Sequence, residues 1–347
     1  MQPTGSFTRL LLGTAVGDSL GLPAEGLSPQ AIARRWSGPW RHRMLFGRGL
    51  VSDDTEHAVM VIQCLLQNRE DAGKFSQLLA RRLRWWLLCL PPGVGWATAR
   101  AIFRLWRGIP PARSGVNSAG NGPAMRSAAL GVCFARDPAR LREFVRASTR
   151  LTHTDVRAEI AALAVALTAA DAVNHPQDRP QPLSELVELW QSAGVGDQDW
   201  QDSIARLAGH GREGKSVAEL AAAMSLQRGV SGYAYHSVPV ALYAYYLHQG
   251  DFRKTVEALL NCGGDTDSTG AIAGALAALR TDIPREWVQG IVDWPVSVDC
   301  LRQVGAAADG TGVPPGVVRW LALPVRNFFA LAVILCHAGR RLLPSQT

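Results

Sequence analysis

Two short acidic stretches carry the side chains best suited to chemistry in this chain. The first, Cys262-Gly263-Gly264-Asp265-Thr266-Asp267-Ser268-Thr269-Gly270, sets two carboxylates and a hydroxyl within four residues. Residues 252–260 before it read as an amphipathic helix, with Phe252, Val256, Leu259 and Leu260 on one side, and 271–279 after it as an Ala-rich one. The paired glycines tolerate left-handed backbone angles and end the first helix. Asp265, Asp267 and Ser268 therefore stand at a tight turn and a helix entrance, where they can point at one spot. Magnesium, manganese and calcium prefer such hard-oxygen cages. An Asp in this place is also a common helix cap, and on this stretch alone the two readings weigh the same.

A second stretch, Ser52-Asp53-Asp54-Thr55, tips the balance. It too opens a helix, here with Val59, Ile62, Leu65 and Leu66 as the apolar stripe. One cap needs one side-chain oxygen, so a pair of Asp at each entrance exceeds what capping requires. If the two entrances face each other, four carboxylates converge. Without a cation they repel or take up protons; one or two divalent ions satisfy them.

The elements that must position these residues read as helices. Residues 7–20 carry Gly13, Gly17 and Gly21 at four-residue spacing. Each Gly costs roughly 1 kcal/mol of helix propensity relative to Ala, so the bare face implies close packing against a helix or a ligand. Thr14 and Asp18 share a neighbouring face. Pro23 stops this helix, and Glu25 follows in the turn, where by itself it reads as an exposed loop acid. Residues 31–50, rich in Trp, Arg and Gly, read as loop with a short helix at most. Helical periodicity returns at 75–88, 97–106, 157–173, 217–224 and 238–247. The run Ser114-Gly115-Val116-Asn117-Ser118-Ala119-Gly120-Asn121-Gly122-Pro123 cannot be helix; feeding the helix at 124–134, it suits a phosphate, although such loops are often mere connectors. His153, in Thr152-His153-Thr154-Asp155, is a ligand contact or a buried turn histidine. Tyr233 opens the 238–247 helix and is placed to stack on a base. Residues 174–182 and 194–202 read as surface excursions.

The chain has 347 residues, 47% hydrophobic and 19% charged, which excludes general disorder. Its six cysteines show no C-x-x-C spacing, arguing against a zinc site or a disulfide framework. The first nine residues lack a signal pattern, and a reducing cytoplasmic compartment is expected. The net charge of +7 favours anionic partners, but no nucleic-acid module is visible, so nucleic acid is the less favoured partner. The tail from Trp320 to Leu343 is the most apolar region. Pro324, Arg326 and Asn327 interrupt it, leaving an apolar helix at 328–336 that is too short to span a bilayer of ~20 helical residues. Packing on the core is the first reading of this helix. Peripheral membrane contact, with Arg340 and Arg341 meeting headgroups, is the second.

Taken in order, Gly13-Thr14-Ala15-Val16-Gly17-Asp18-Ser19-Leu20-Gly21 with Glu25, Ser52-Asp53-Asp54-Thr55, Gly120-Asn121-Gly122-Pro123-Ala124-Met125-Arg126, Thr152-His153 and Gly263-Gly264-Asp265-Thr266-Asp267-Ser268 resemble the ADP-ribosylglycohydrolase family from about residue 7 to 279. The resemblance implies an all-α orthogonal bundle of many helices around a binuclear magnesium or manganese site. Residues 1–280 would form the core and 281–347 a helical extension packed on it. It implies hydrolysis of the bond at the anomeric carbon of ADP-ribose carried on a modified protein side chain, an arginine-type N-glycosidic linkage being favoured, with ADP-ribose as product. By position Ser52, Asp53, Asp54, Asp265, Asp267 and Ser268 match metal ligands, and Glu25 matches the acid placed over the substrate. Gly115, Asn117, Ser118, Gly120, Asn121, Gly122 and Met125, with Arg126 following, match the part that holds the distal ribose and diphosphate, and His153 a nearby contact. Ser52 and Ser268 stand where many members have Thr, and Pro123 removes one backbone donor from the loop. Hydrolysis of ADP-ribosylated nucleic acid or of O-linked ADP-ribose, and non-catalytic ADP-ribose binding, are the alternatives. Retention of both Asp pairs and Glu25 speaks against the last.

Overall fold

A computed structural model describes residues 5–36, 38–175, 179–313 and 322–342. Its α-helices, in chain order, are α1 (Ser6–Gly21), α2 (Pro29–Arg35), α3 (Asp53–Gln67), α4 (Ala72–Leu88), α5 (Trp96–Trp106), α6 (Pro111–Ser114), α7 (Ala128–Cys133), α8 (Pro138–Arg150) and α9 (Val156–Asn174). The chain continues through α10 (Leu183–Ala193), α11 (Gln198–Arg212), α12 (Val217–Ala223), α13 (Ala234–Leu247), α14 (Phe252–Leu260), α15 (Thr266–Ala278), α16 (Arg285–Gly290), α17 (Val298–Ala308) and α18 (Leu323–Leu342). Among the described residues there is no strand, only isolated β-bridges between loops. The fold is the expected all-α one.

Helices α1, α9, α13 and α15 are apolar almost all round and buried along nearly their whole length, which makes them the central elements. Amphipathic helices such as α4, α8 and α14 pack around them with only one buried face. The glycine stripe is explained at the centre, where its partner is a helix. A Cβ on Gly13 would lie 2.2 Å from the Gly274 carbonyl oxygen, and one on Gly17 would lie 1.9 Å from that of Gly270. The α1 and α15 backbones therefore touch directly, and Thr266 Oγ1 donates to the Gly21 carbonyl at 2.8 Å. The α1 amides at Phe7 and Thr8 have no intrahelical acceptor. They are capped from far along the chain by the Asp309 carboxylate, at 3.0 and 3.1 Å.

Three expectations need refinement. Residues 194–202 do run along the surface, with Val195, Gly196, Gln198, Asp199 and Asp202 exposed, but Asp197 caps α11 by accepting from the Trp200 amide at 2.9 Å, and the Trp200 indole is fully buried. Its Gly and Asp residues mark one turn and a cap, not a loop. The 174–182 stretch, of which 176–178 lie outside the described residues, is exposed at 174, 175, 179, 180 and 182 as expected, with Gln181 alone buried and accepting from the Tyr245 hydroxyl at 2.7 Å. The apolar helix expected at 328–336 is part of the longer α18, which starts at Leu323; Trp320 and Leu343 lie outside the described residues. Pro324 falls in the first turn, where no amide is needed. Arg326 and Asn327 do not interrupt the helix but anchor it. The Arg326 guanidinium donates to Glu56 on α3 and to Asp293, both at 3.0 Å, and the Asn327 amide donates to the Cys89 carbonyl at 2.9 Å.

Candidate active site

The loops between helices are stitched into one floor by single backbone bridges. Val116 pairs with His153, Gly120 with Tyr233, and Val230 with Gly264. The Asn121 amide donates to the Gly232 carbonyl at 2.9 Å, Asp265 to Val230 at 2.7 Å, and Gly26 to Gly264 at 2.7 Å. Gly264 has φ +84°, and a Cβ there would sit 2.0 Å from the Val230 carbonyl oxygen; only Gly serves at this crossing. Above this floor opens a cavity of about 660 Å³.

Most of the expected site residues meet here. Glu25, Asp53, Asp265, Asp267, Ser268, Ser118, Gly120, Asn121, Gly122, Met125 and His153 line the cavity. Ser52 and Asp54 lie directly behind it: Asp54 Oδ2 accepts from the Ser52 and Ser268 hydroxyls at 3.1 and 3.2 Å. The entrances of α3 and α15 thus face each other. Neither Asp pair is consumed by capping. The α3 start is held by Ser52 and, from α1, by Asp18, whose carboxylate accepts the Ser52 amide at 2.9 Å and the Thr55 amide at 3.2 Å. At α15, Asp265 makes no cap bond and accepts instead from the Asn121 side-chain amide at 2.7 Å.

The electrostatics follow from this convergence. Burial, then mutual repulsion with neighbours that include Asp18, Asp265 and Glu25, holds Asp53, Asp54 and Asp267 well above the usual carboxylate range. Asp18 is pushed up to about 6 by burial, against the hydrogen bonds it accepts. Asp54 Oδ1 and Asp267 Oδ1 are buried without a hydrogen-bond partner, which leaves each with an unmet need for positive charge. No three His, Cys, Asp or Glu among the described residues stand ready-made as a ligand cluster, but the donor set mixes carboxylates with the Ser52 and Ser268 hydroxyls. These hard oxygens fit a divalent cation such as Mg²⁺ or Mn²⁺.

Besides Ser52 and Asp54, three expected residues do not line the cavity. Gly115 packs beneath it, its amide donating to the Arg150 carbonyl at 3.1 Å, and Asn117 is exposed. The Tyr233 ring is engaged by the Arg157 guanidinium, 5.7 Å from its centroid, and by the His236 edge at 4.8 Å. The glycine-rich loop is also no open nest of amides. Gly120 donates to Ser118 Oγ at 3.3 Å, Asn121 to Gly232, and Ala124 and Met125 to Asn121.

Arg126 lies under the floor rather than in it. Its Nη2 donates to Thr152 Oγ1 at 2.7 Å, and that hydroxyl is 2.9 Å from His153 Nδ1. With the guanidinium on one lone pair, the hydroxyl proton goes to Nδ1, since the Thr149 carbonyl is 3.5 Å away. His153 then carries its own proton on Nε2, the edge beside Gly120 and Gly122. Burial and the Arg126 charge push its pKa down to about 3, so His153 serves as a neutral donor at the cavity wall.

Sequence reasoning missed Asp18 as a partner of the site, although Thr14 and Asp18 stood out on one face. It also missed the wall formed by the 228–232 loop; Gly95, Trp96 and Thr98, which line the cavity too, fall in the 90–113 stretch that reads from the sequence as a determinant of specificity.

Residues 4–314 match the family model described as ADP-ribosylglycohydrolase. An uncharacterized protein of Archaeoglobus fulgidus is 30% identical over 306 residues, covering 83% of this chain and 92% of that protein. The ADP-ribosyl-[dinitrogen reductase] glycohydrolase of Rhodospirillum rubrum is 28% identical over 314 residues, covering 85% and 92%. The ADP-ribosylhydrolase ARH3 of Gallus gallus is 26% identical over 337 residues, covering 83% and 89%. Among solved structures, one titled ADP-ribosylglycohydrolase-related protein complex superposes with a TM-score of 0.64 at 25% identity, covering 89% of this chain and 98% of that one. With paired acids, glycine-rich loop and cavity in place, the chain belongs to the ADP-ribosylglycohydrolase family and is an ADP-ribosyl glycohydrolase.

Proposed function

We propose that this chain removes ADP-ribose from a modified protein side chain, with an arginine-type N-glycosidic linkage favoured, in a reaction that depends on two divalent cations, Mg²⁺ or Mn²⁺. The observation that carries the reading is the meeting of the two Asp-bearing helix entrances in one cavity, with buried carboxylate oxygens left unpartnered. Ser52, Asp53, Asp54, Asp265, Asp267 and Ser268 would hold the cations, which when bound stabilise negative charge and orient ribose hydroxyls. The protein's own groups do the rest. Glu25, exposed at the cavity edge, transfers a proton at the anomeric centre, either activating water or assisting the leaving group. His153 Nε2–H donates to a ribose or phosphate oxygen. Ser118 and Gly122 line the same wall and supply further polar contacts there. Trp96, at the rim and 76% exposed, replaces Tyr233 as the aromatic that stacks on adenine. An arginine linkage is supported by charge: a guanidinium leaving group is cationic, and Glu25, not among the cation ligands, stands exposed at the mouth.

The test is turnover of defined ADP-ribose linkages, on arginine, on serine and as a nucleobase adduct, with and without chelator. Glu25→Gln, Asp54→Ala and Asp267→Ala are assayed on the best of them. Folded Asp54→Ala and Asp267→Ala proteins with undiminished turnover would eliminate this mechanism, and a serine or nucleobase adduct cleaved faster would move the linkage assignment.

A further inference from the structure

Helix α18 is apolar on both sides. With 3.6 residues per turn, Leu323, Arg326, Asn327 and Ala330 are buried against the protein, and Val333 and Ile334 pack on Leu22, Met44 and Leu50. The opposite side, toward solvent, is apolar: Phe328 is 80% exposed, and Val325, Phe329, Leu331, Leu335 and Cys336 are exposed with it. Isolated exposed apolar residues are ordinary, but contiguous ones mark a contact surface.

The patch extends beyond the helix. The Asn327 anchor bonds Cys89, whose neighbours Leu88 and Leu90 are both exposed, Leu90 to 77%. The Arg326 anchor bonds Asp293, whose neighbours Val292 and Trp294 are likewise exposed. On the other flank Phe329 and Cys336 share a groove with Phe46, which is 94% exposed at a turn with φ +49°. Three phenylalanines, each of roughly 150–250 Å², thus give a patch on the order of several hundred Å².

The unpaired charge around it is basic; Glu286 and Asp299, on the segment that carries Val292 and Trp294, are paired with Arg253 and Arg302. Helix α18 holds no Asp or Glu, and residues 40–50 add Arg41, Arg43 and Arg48 without an acid. From residue 72 to 136, which includes Arg84 beside Leu88, the chain has no Asp or Glu at all. A second copy docking by a two-fold axis would set this arginine-rimmed patch against itself, arginine facing arginine. An anionic bilayer complements both parts, accepting apolar side chains below the headgroups and arginines at the phosphates. No helix among the described residues is long and apolar enough to cross a membrane, so α18 would lie in the interface plane.

We propose that this face seats the protein on the surface of an anionic lipid bilayer, with the outer side of α18, Phe46 and Leu90 entering the interfacial layer. The inference is independent of the catalytic reading. Its test is flotation of the full chain with vesicles of phosphatidylcholine alone or phosphatidylcholine mixed with phosphatidylglycerol, at low and high salt. The expected result is binding to the mixed vesicles, weakened by salt, and little to the neutral ones. The double variant Phe328→Asp, Leu335→Asp should lose more than about tenfold in partitioning, and Arg41→Glu with Arg48→Glu should lose the salt-sensitive part. Unchanged thermal melting of both variants keeps loss of binding distinct from loss of fold. Failure of the wild-type chain to float, or equal flotation with neutral vesicles, overturns the proposal. So does a wild-type dimer that Phe328→Asp converts to monomer, or retention on duplex DNA abolished by the same variants.

Discussion

Replacing Gly17 by Ala is expected to disable the site while the chain stays folded. The new Cβ would lie 1.9 Å from the Gly270 carbonyl oxygen and 2.4 Å from its carbon. That is about 1.5 Å short of ordinary contact, and the obstructing atoms are backbone that no rotamer change can clear. Overpacking of this kind costs about 1–3 kcal/mol, occasionally more, against a typical stability of roughly 5–15 kcal/mol. The strain is relieved by moving α15 off α1, and α15 carries Asp265, Asp267 and Ser268 at its entrance. The 3.2 Å contact from Ser268 to Asp54 across the two entrances cannot survive such a shift. A misplacement near 1 Å can cost on the order of 100-fold in rate, so turnover should fall by about that factor while the melting temperature drops by only several degrees. The assay is the initial rate of ADP-ribose release from a modified peptide, with melting followed by circular dichroism. Gly209→Ala is the control: nothing lies within 4 Å of a Cβ there on α11, so it should gain about 0.5–1 kcal/mol with turnover unchanged. Wild-type turnover and melting from Gly17→Ala would refute the claim that this contact sets the site's geometry.

Asp54→Asn should raise the melting temperature of chelator-treated protein, because it removes one of the buried mutually repelling charges. It should also abolish the stabilisation that Mn²⁺ gives the wild type; a variant still stabilised by the ion would contradict its role. Buried His153, pushed from 6.5 to about 3, and His57, likewise lowered, must stay neutral in the fold. The unfolded chain takes up those protons, so their contribution is present above about 6.5 and is lost as pH falls below it. The difference in melting temperature between wild type and His153→Gln should therefore shrink toward acid, and parallel curves would count against this assignment; carboxylate effects common to both proteins cancel. Arg326→Ala leaves Glu56 and Asp293 buried without their cation and should cost about 3–5 kcal/mol, measurable by urea denaturation. A loss below about 1 kcal/mol would mean that α18 is held by something else.

Local chemistry was readable in the chain. The glycine stripe, the Asp pairs at two helix entrances and the broken segment from Ser114 to Pro123 each follow from short-range preferences that act wherever those residues occur. Even α14 was placed with its bounds, because its apolar stripe and the glycines after it leave little choice. What could not be read is whatever depends on a partner distant in sequence. Asp18 looks like one more polar residue on a helix, yet it caps a helix beginning more than thirty residues later. Tyr233 looks like a base-stacking aromatic until Arg157 covers it. Arg326 and Asn327 look like interruptions of an apolar helix until their buried acceptors on other elements are known. Side-chain type and helical period are properties of neighbouring residues. Burial, proton position and the direction in which a helix shows its apolar side arise only when separate helices pack and choose each other's environment.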